Sequence, residues 1–203
     1  MLRVLIPVGL PPQLLVPIFA VMRSTYPRLM AHLRVSDDPI GGLLDDVDIA
    51  LHFGSHSPPG PWVSYELLRM REWLVGHVDY LASRGTPASV EDLSKHELFS
   101  WEAPGEDPRV WPLCGGGTLP VEPTLIVSDI HMLRQFVIAG LGLAFVPDAQ
   151  VPDPSSEAGV IVPVLPDLIG RERSLRLVVP SVLSDLPRIK AVMRHVRAFT
   201  DQL

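Results

Sequence analysis

The stretch VSDIHMLRQFVIAGLGLAFVPD, residues 127–148, holds a strand end, a helix and a second strand in one run. The polar pair Ser128-Asp129 is typical of a helix start, because such side chains accept hydrogen bonds from the free N–H groups of the first turn. Gly140 follows the apolar run where a helix C-terminus needs a positive φ. GLAFVP then has the pattern of a short buried strand. The stretch therefore predicts the strand–helix–strand unit from which parallel sheets are built.

The same alternation of strands and helices is predicted at the N-terminus. Residues 3–8 predict a strand and residues 9–12 a turn, and a helix follows with Leu14, Leu15, Ile18, Phe19 and Met22 on one face. AHLRVS (31–36) predicts a half-buried strand, GGLLDD (41–46) a short helix and VDIALHFG (47–54) a strand. Alternation of strands and helices is typical of an α/β fold with a parallel sheet.

The middle of the chain contains one long predicted strand, WVSYELLRMREWLVGH (62–77), which is long enough to cross between two lobes. Further predicted elements are strands at 97–101, 124–128, 160–165 and 173–180, helices at 78–85 and from about 184 to the end, and an irregular segment rich in Pro and Gly at 102–123.

Composition narrows the classes of protein. The 203 residues are 47% hydrophobic and 20% charged, which is typical of a globular protein, and the net charge of −6 disfavours binding to polyphosphates. A single cysteine, Cys114, excludes an internal disulfide and fits a reducing compartment. Residues 4–22 are uncharged, but Pro11 and Pro12 would break a membrane-spanning helix. We therefore expect a mature cytoplasmic domain, not a signal peptide or a membrane segment.

Motifs for catalysis, metals and cofactors are missing. Gly115 to Gly117 are not followed by the Lys and Ser or Thr of a phosphate loop, and Gly140-Leu141-Gly142 joins a helix end to a strand, the reverse of a dinucleotide fingerprint. The seven histidines lack metal-ligand spacing, and no nucleophile elbow is present. We expect no metal, no cofactor and no catalytic residue, although a Ser/His/Asp set assembled in space stays open.

Several polar and aromatic residues stand where ligands bind open α/β sheets, at strand ends and helix starts. Ser128 is the best single candidate, either as a helix cap or as a ligand group, and Asp129 is the alternative cap. Trp101 ends a strand and either walls a cleft or fills a loop, and Phe145 and Val146 belong either to the core or to a pocket.

Taken together, five segments resemble the effector-binding domain of LysR-type transcriptional regulators. They are LLVPIFAVMRSTYP (14–27), DDVDIALHFG (45–54), LVGHVDYLASRGTPASVEDLSKHELFSW (74–101), VSDIHMLRQFVIAGLGLAFVPD (127–148) and GVIVPVLPD (159–167). The resemblance implies a type 2 periplasmic-binding-protein-like α/β fold, in which two lobes are joined by two crossover segments around an interlobe cleft. Lobe I would comprise residues 1–70 plus 171–203, and lobe II residues 71–170.

The resemblance also implies a function, which is to bind a small organic effector and to transmit its presence to DNA. The implied effector contacts are Gly9, Leu10, Pro11, Pro12, His52, Phe53, Trp101, Ser128, Asp129, Phe145 and Val146. Because Pro11 and Pro12 donate no N–H, we expect an effector with a partly aromatic or aliphatic body.

Assembly is implied by the resemblance as well. The family forms homodimers, and tetramers in longer proteins, with helix 13–26 of one chain beside helix 129–139 of the next. Leu133, Phe136 and Val137 would then lie partly in the interface. DNA contacts would come from an N-terminal winged helix-turn-helix that this sequence does not contain. The alternatives are a solute-binding protein of a transporter, which would need an export signal, and an enzyme on the same two-lobed scaffold.

Overall fold

The computed structural model describes residues 1–41, 47–54, 56, 57, 59–148 and 160–200. The chain divides into two compact units, unit 1 with residues 1–70 and 173–203 and unit 2 with residues 71–172. It passes from one unit to the other twice, within β4 (Trp62–His77) and within β11 (Gly170–Pro180). Residues 171 and 172, predicted to belong to lobe I, group with unit 2.

Unit 1 contains a small sheet and two long helices. Its further elements are β1 (Leu2–Pro7), α1 (Pro12–Thr25), β2 (Ala31–Ser36), β3 (Ile49–Phe53) and α4 (Pro187–Thr200). β1 pairs in parallel with β2 and β3, and β11 pairs antiparallel with β3. The prediction of a half-buried β2 is wrong, because β2 is an outer strand whose Leu33 and Val35 are exposed.

The core of unit 1 lies against α1. The predicted apolar face of this helix is confirmed, since its side chains surround an apolar cavity together with β1, β3 and β11. The helix begins at Pro12, a position where the missing N–H removes no helical hydrogen bond. In the described part of the chain, no helix has both the length and the apolarity that crossing a membrane requires.

Unit 2 is built on a second sheet segment with the strand order β4-β9-β5-β8. Its elements are α2 (Val78–Arg84), β5 (Leu98–Trp101), β6 (Val110–Pro112), β7 (Thr118–Pro120), β8 (Leu125–Val127), α3 (Ile130–Ile138), β9 (Leu143–Asp148) and β10 (Ile161–Pro163). β5 pairs in parallel with β8 and β9, whereas β4 pairs antiparallel with β9 and β10. The strands and helices predicted from residues 62 to 101 and 124 to 148 are confirmed.

Two hydrophobic clusters pack in unit 2, because neighbouring residues of a strand point to opposite faces. Leu74 and Leu143 pack with Trp111 in one cluster, and Val75 and Ala144 pack in the other. The second cluster also contains Leu133 and Val137, both with 0% exposed surface. The structure corrects their expected place in a dimer interface: they are core residues of the chain, and their neighbour Phe136 packs edge-on against Phe99.

Two other predictions have different outcomes. The segment 102–123 is not wholly irregular, because β6 and β7 form a short antiparallel hairpin. Its turn contains Gly116 and Gly117 with φ of 87° and 85°, which glycine adopts without steric cost. The helix predicted at 41–46 lies, apart from Gly41, outside the described residues.

Candidate ligand pocket

A pocket opens in unit 2, with walls from β4, β5, β6, β9 and the start of β11. The pocket combines aromatic rings, prolines and four charged side chains. Its lining residues are Glu72, Trp101, Ala103, Glu106, Asp107, Pro108, Val110, Trp111, Pro112, Phe145, Pro147 and Arg171.

The aromatic walls of the pocket are held in fixed positions. Trp111 stacks on Phe145 with ring centroids 6.2 Å apart, and its Nε1 donates a 2.9 Å hydrogen bond to Oγ of the buried Ser100. Nε1 of Trp101 donates a 3.1 Å hydrogen bond to the carbonyl oxygen of Ser128. The N–H groups of both indole rings are therefore satisfied by the protein, as is usual for tryptophan in buried surroundings, and Trp111 itself is only 2% exposed.

One arginine joins two carboxylates on the pocket wall. Nε of Arg171 donates to Glu72, whose side chain is only 3% exposed, and Nη2 of Arg171 donates to Glu106 over 2.6 Å. The preceding residue, Gly170, permits this approach, because a Cβ there would lie 2.9 Å from the backbone oxygen of Glu72. An arginine fork between two carboxylates fixes the geometry of all three groups.

The fourth charged group is Asp107. Its Oδ1 accepts a 2.9 Å hydrogen bond from the backbone N–H of Arg109 and so supports the turn before β6. The charged side chains that line the pocket are therefore three carboxylates and one guanidinium. In the described residues, no group of three His, Cys, Asp or Glu side chains is arranged to hold a metal ion.

The sequence-predicted residues of unit 2 lie in different surroundings. Trp101 and Phe145 line the pocket, whereas Val146 points to the other face of β9 and is buried in the core. Ser128 is not the cap of α3. That role belongs to Asp129, whose Oδ1 accepts hydrogen bonds of 2.7 and 2.9 Å from the N–H groups of His131 and Met132. Both Ser128 and Asp129 are exposed.

In unit 1, the predicted turn leads into α1. Gly9 has φ of 83°, Leu10 is a core residue with 6% exposed surface, and Pro11 is the N-cap of a helix that begins at Pro12. The N-cap position makes no side-chain hydrogen bond. The start of α1 therefore follows a turn without a side-chain hydrogen bond at its N-cap.

The other predicted residues of unit 1, His52 and Phe53, end β3. His52 is 8% exposed, its Nδ1 lies 3.2 Å from the Phe53 carbonyl oxygen, and its Nε2 makes no hydrogen bond to the residues that the structure describes. Burial lowers the pKa of His52, and the nearby positive charge of Arg176 lowers it further. The imidazole is therefore held in its neutral form over a wider pH range.

The four charged residues of the pocket, Glu72, Glu106, Asp107 and Arg171, were not predicted from the sequence, and neither was Trp111. Glu72 left a local signal, since it alternates with the hydrophobic Met70 and Leu74 along one face of a long strand. Arg171 stands 99 residues from Glu72 and 65 from Glu106, so their pairing has no local trace in the sequence.

The sequence of this chain matches a family model and several curated proteins. The family model described as "LysR substrate binding domain" matches residues 1–201. The regulator CrgA of Neisseria meningitidis is 29% identical over 154 residues, which are 75% of this chain and 50% of the relative. The activator TtdR of Escherichia coli is 23% identical over 154 residues, or 74% of this chain and 49% of the relative. The chain therefore spans about half the length of the curated relatives it matches.

Solved structures agree with the family match. The regulatory domain of CrgA has a TM-score of 0.82 at 23% identity and covers 98% of both chains. The regulatory domain of AphB from Vibrio vulnificus has a TM-score of 0.78 at 19% identity, covering 97% of this chain and 98% of that one. At these identities the likeness shows the fold, and the predicted type 2 periplasmic-binding-protein-like class is confirmed.

Proposed function

The chain belongs to the LysR substrate-binding domain family, the ligand-sensing regulatory domain of LysR-type transcriptional regulators, and from this premise we propose that its effector is a small organic molecule bound in the unit 2 pocket. The observation that carries the proposal is the pocket itself, where fixed aromatic rings stand beside an arginine that joins Glu72 and Glu106. Aromatic side chains beside a few oriented polar groups are typical of ligand sites.

The position of Arg171 supports a route by which binding is transmitted. Unit 2 begins at Arg71 and ends at Glu172, so Glu72 and Arg171 each stand one residue inside a point where the chain passes to unit 1. A ligand that contacts Glu106 therefore also perturbs the ion pair between Arg171 and Glu72, which lies next to both points where the chain passes to unit 1. Such a ligand shifts a conformational equilibrium only by its difference in affinity for the two states.

We further propose that the protein acts in the cytoplasm as a homodimer, or a tetramer in a longer protein, and reaches DNA through a segment outside this chain. Dimer contacts through α1 and α3 are supported by apolar side chains that the fold leaves exposed, Val16 and Val21 on α1 and Met132 on α3. Sedimentation of Val16→Asp and of Met132→Asp should show a weaker dimer than the unchanged chain does.

The test of effector binding is a thermal-shift screen of metabolites of all charge types, followed by calorimetry. A ligand at a hundredfold excess over its Kd adds about 2.7 kcal/mol to the free energy of unfolding. We expect Trp101→Ala to weaken the best compound at least about tenfold, the equivalent of about 1.4 kcal/mol. The matched control is Trp62→Ala, which removes a half-buried tryptophan from unit 1.

Two outcomes would contradict the proposal. The first is a screen in which no compound raises the unfolding temperature, and the second is an equal loss of affinity in the Trp101 and Trp62 variants. The compound should also be recovered chemically unchanged, because we propose binding without catalysis. The predicted contribution of His52 and Phe53 to effector binding is tested in the same way, with His52→Ala.

A further inference from the structure

We propose that the ligand of the unit 2 pocket is an organic cation, an amine or a related group carried on a flat apolar body. The inference deepens the proposed function and rests on it, since it names the chemical class of the effector. This class differs from small organic acids, which the free N–H groups at helix starts would favour. Three features of the pocket carry it: the balance of charge, the place of the arginine, and the aromatic walls.

The charge balance of the pocket is negative. Three carboxylates line it, those of Glu72, Glu106 and Asp107, against the single guanidinium of Arg171. Three negative charges less one positive charge leave a net charge of −2. Because opposite charges attract and like charges repel at short range, this lining favours a cation over an anion.

The arginine is already committed to the protein. Its Nε donates to Glu72, and its Nη2 donates to Glu106 over 2.6 Å. An anionic ligand could bind Arg171 only by displacing Glu106 or by lying beside it, and both arrangements bring two negative charges together. A cation meets no such conflict, because it can sit at the other edge of the pocket, against Glu106 and Asp107.

The rings favour the same class of ligand. The face of an aromatic ring carries partial negative charge, so it attracts cations as well as apolar groups. Trp101, Trp111 and Phe145 all line the pocket, and their positions are fixed by hydrogen bonds and stacking. Aromatic rings together with carboxylates are the combination by which proteins recognise ammonium groups.

The experiment compares three probes that share one phenyl body and differ in charge: phenethylamine, 3-phenylpropanoate and 2-phenylethanol. Each is titrated into the full chain at neutral pH and low salt by calorimetry, and tryptophan fluorescence is recorded alongside. We expect phenethylamine to bind at least about tenfold more tightly than the alcohol. The propanoate should bind more weakly than the alcohol, and added salt should reduce the preference for the amine.

Two variants assign the preference to the pocket. Glu106→Gln and Asp107→Asn each remove one negative charge, and each should weaken phenethylamine about fivefold to tenfold while the affinity for the alcohol changes less than about twofold. The matched control is Glu122→Gln, which removes an exposed carboxylate of the same unit that does not line the pocket. Should Glu106→Gln unfold the chain, Asp107→Asn supplies the test, because Asp107 is exposed.

The proposal is overturned if the propanoate or the alcohol binds as tightly as the amine. It is also overturned if no probe binds, or if Glu122→Gln has the same effect as the pocket variants. Failure of this proposal differs from failure of the proposed function. An acid or a neutral compound that binds through Trp101 overturns only the charge class, whereas a metabolite screen without any binder overturns the function as well.

Discussion

The two ion pairs of Arg171, with Glu72 and with Glu106, should contribute differently to stability, because the two carboxylates differ in burial. The side chain of Glu72 is 3% exposed, while those of Glu106 and Arg171 are 32% and 30% exposed. An exposed ion pair is worth about 0–1 kcal/mol, since water and salt screen it. Breaking a buried pair costs about 3–5 kcal/mol, mainly because the remaining charge stays buried without that partner.

From these figures we expect Glu72→Gln to lower the free energy of unfolding by about 2–3 kcal/mol, below the fully buried value because Arg171 is partly exposed. Glu106→Gln should cost about 0.5–1 kcal/mol. The assay is urea unfolding followed by tryptophan fluorescence in a Trp62→Phe background. The remaining tryptophans, at 73, 101 and 111, all lie in unit 2.

A double-mutant cycle measures the coupling energy of each ion pair separately. The coupling energy between Arg171→Met and Glu72→Gln should exceed about 1.5 kcal/mol, and that between Arg171→Met and Glu106→Gln should stay below about 1 kcal/mol. Equal coupling energies, or a larger loss in Glu106→Gln than in Glu72→Gln, would refute the argument from burial.

Three further predictions concern the stability of the fold. Asp129→Ala should cost about 1 kcal/mol in urea unfolding because α3 loses its cap, whereas Ser128→Ala should change stability by less than about 0.5 kcal/mol. Leu133→Ala should cost about 2–5 kcal/mol as a buried core truncation, and Gln135→Ala, at an exposed position of the same helix, should stay within about 0.5 kcal/mol. The pKa of His52 in the folded chain lies below its unfolded value, so the neutral imidazole contributes stability above about pH 6.5. This contribution is lost as the pH falls below that value toward the folded pKa. His52→Gln should therefore reduce the loss of unfolding free energy between about pH 7 and 5.

Much of the fold could be predicted because its signals are local. α3 has a polar start and Gly140 at its end with φ of 68°, and β4 is a long strand between a loop and a helix. The β6–β7 hairpin was missed because its strands have three residues each. The burial of Trp111, which anchors the hairpin to Ser100, depends on contacts that no periodicity records.

The residues of the pocket also differ in whether a local sequence signal predicts them. Trp101 and Phe145 could be predicted because both stand at or near strand ends, where ligands meet a parallel sheet. Glu72, Glu106 and Arg171 could not, because their pairing joins segments that are far apart in the chain. The sequence thus predicts two aromatic residues of the pocket, whereas Trp111 and the charged residues emerge only from the fold.

Gly170 offers a way to separate the charge of the pocket from the geometry of Arg171. A Cβ at this position would lie 2.9 Å from the Glu72 backbone oxygen and 3.3 Å from Sγ of Cys114, and φ is +156°. Gly170→Ala should therefore push Arg171 away from Glu72 and cost about 1–3 kcal/mol while every charge is retained. If the fork on Arg171 holds Glu106 in its binding position, phenethylamine affinity must fall too. The control is Gly115→Ala, where an added Cβ meets no atom within 4 Å. Unchanged affinity in a destabilised Gly170→Ala would mean that the pocket attracts its ligand by net charge alone and that the ion pair at the chain passages has no part in binding.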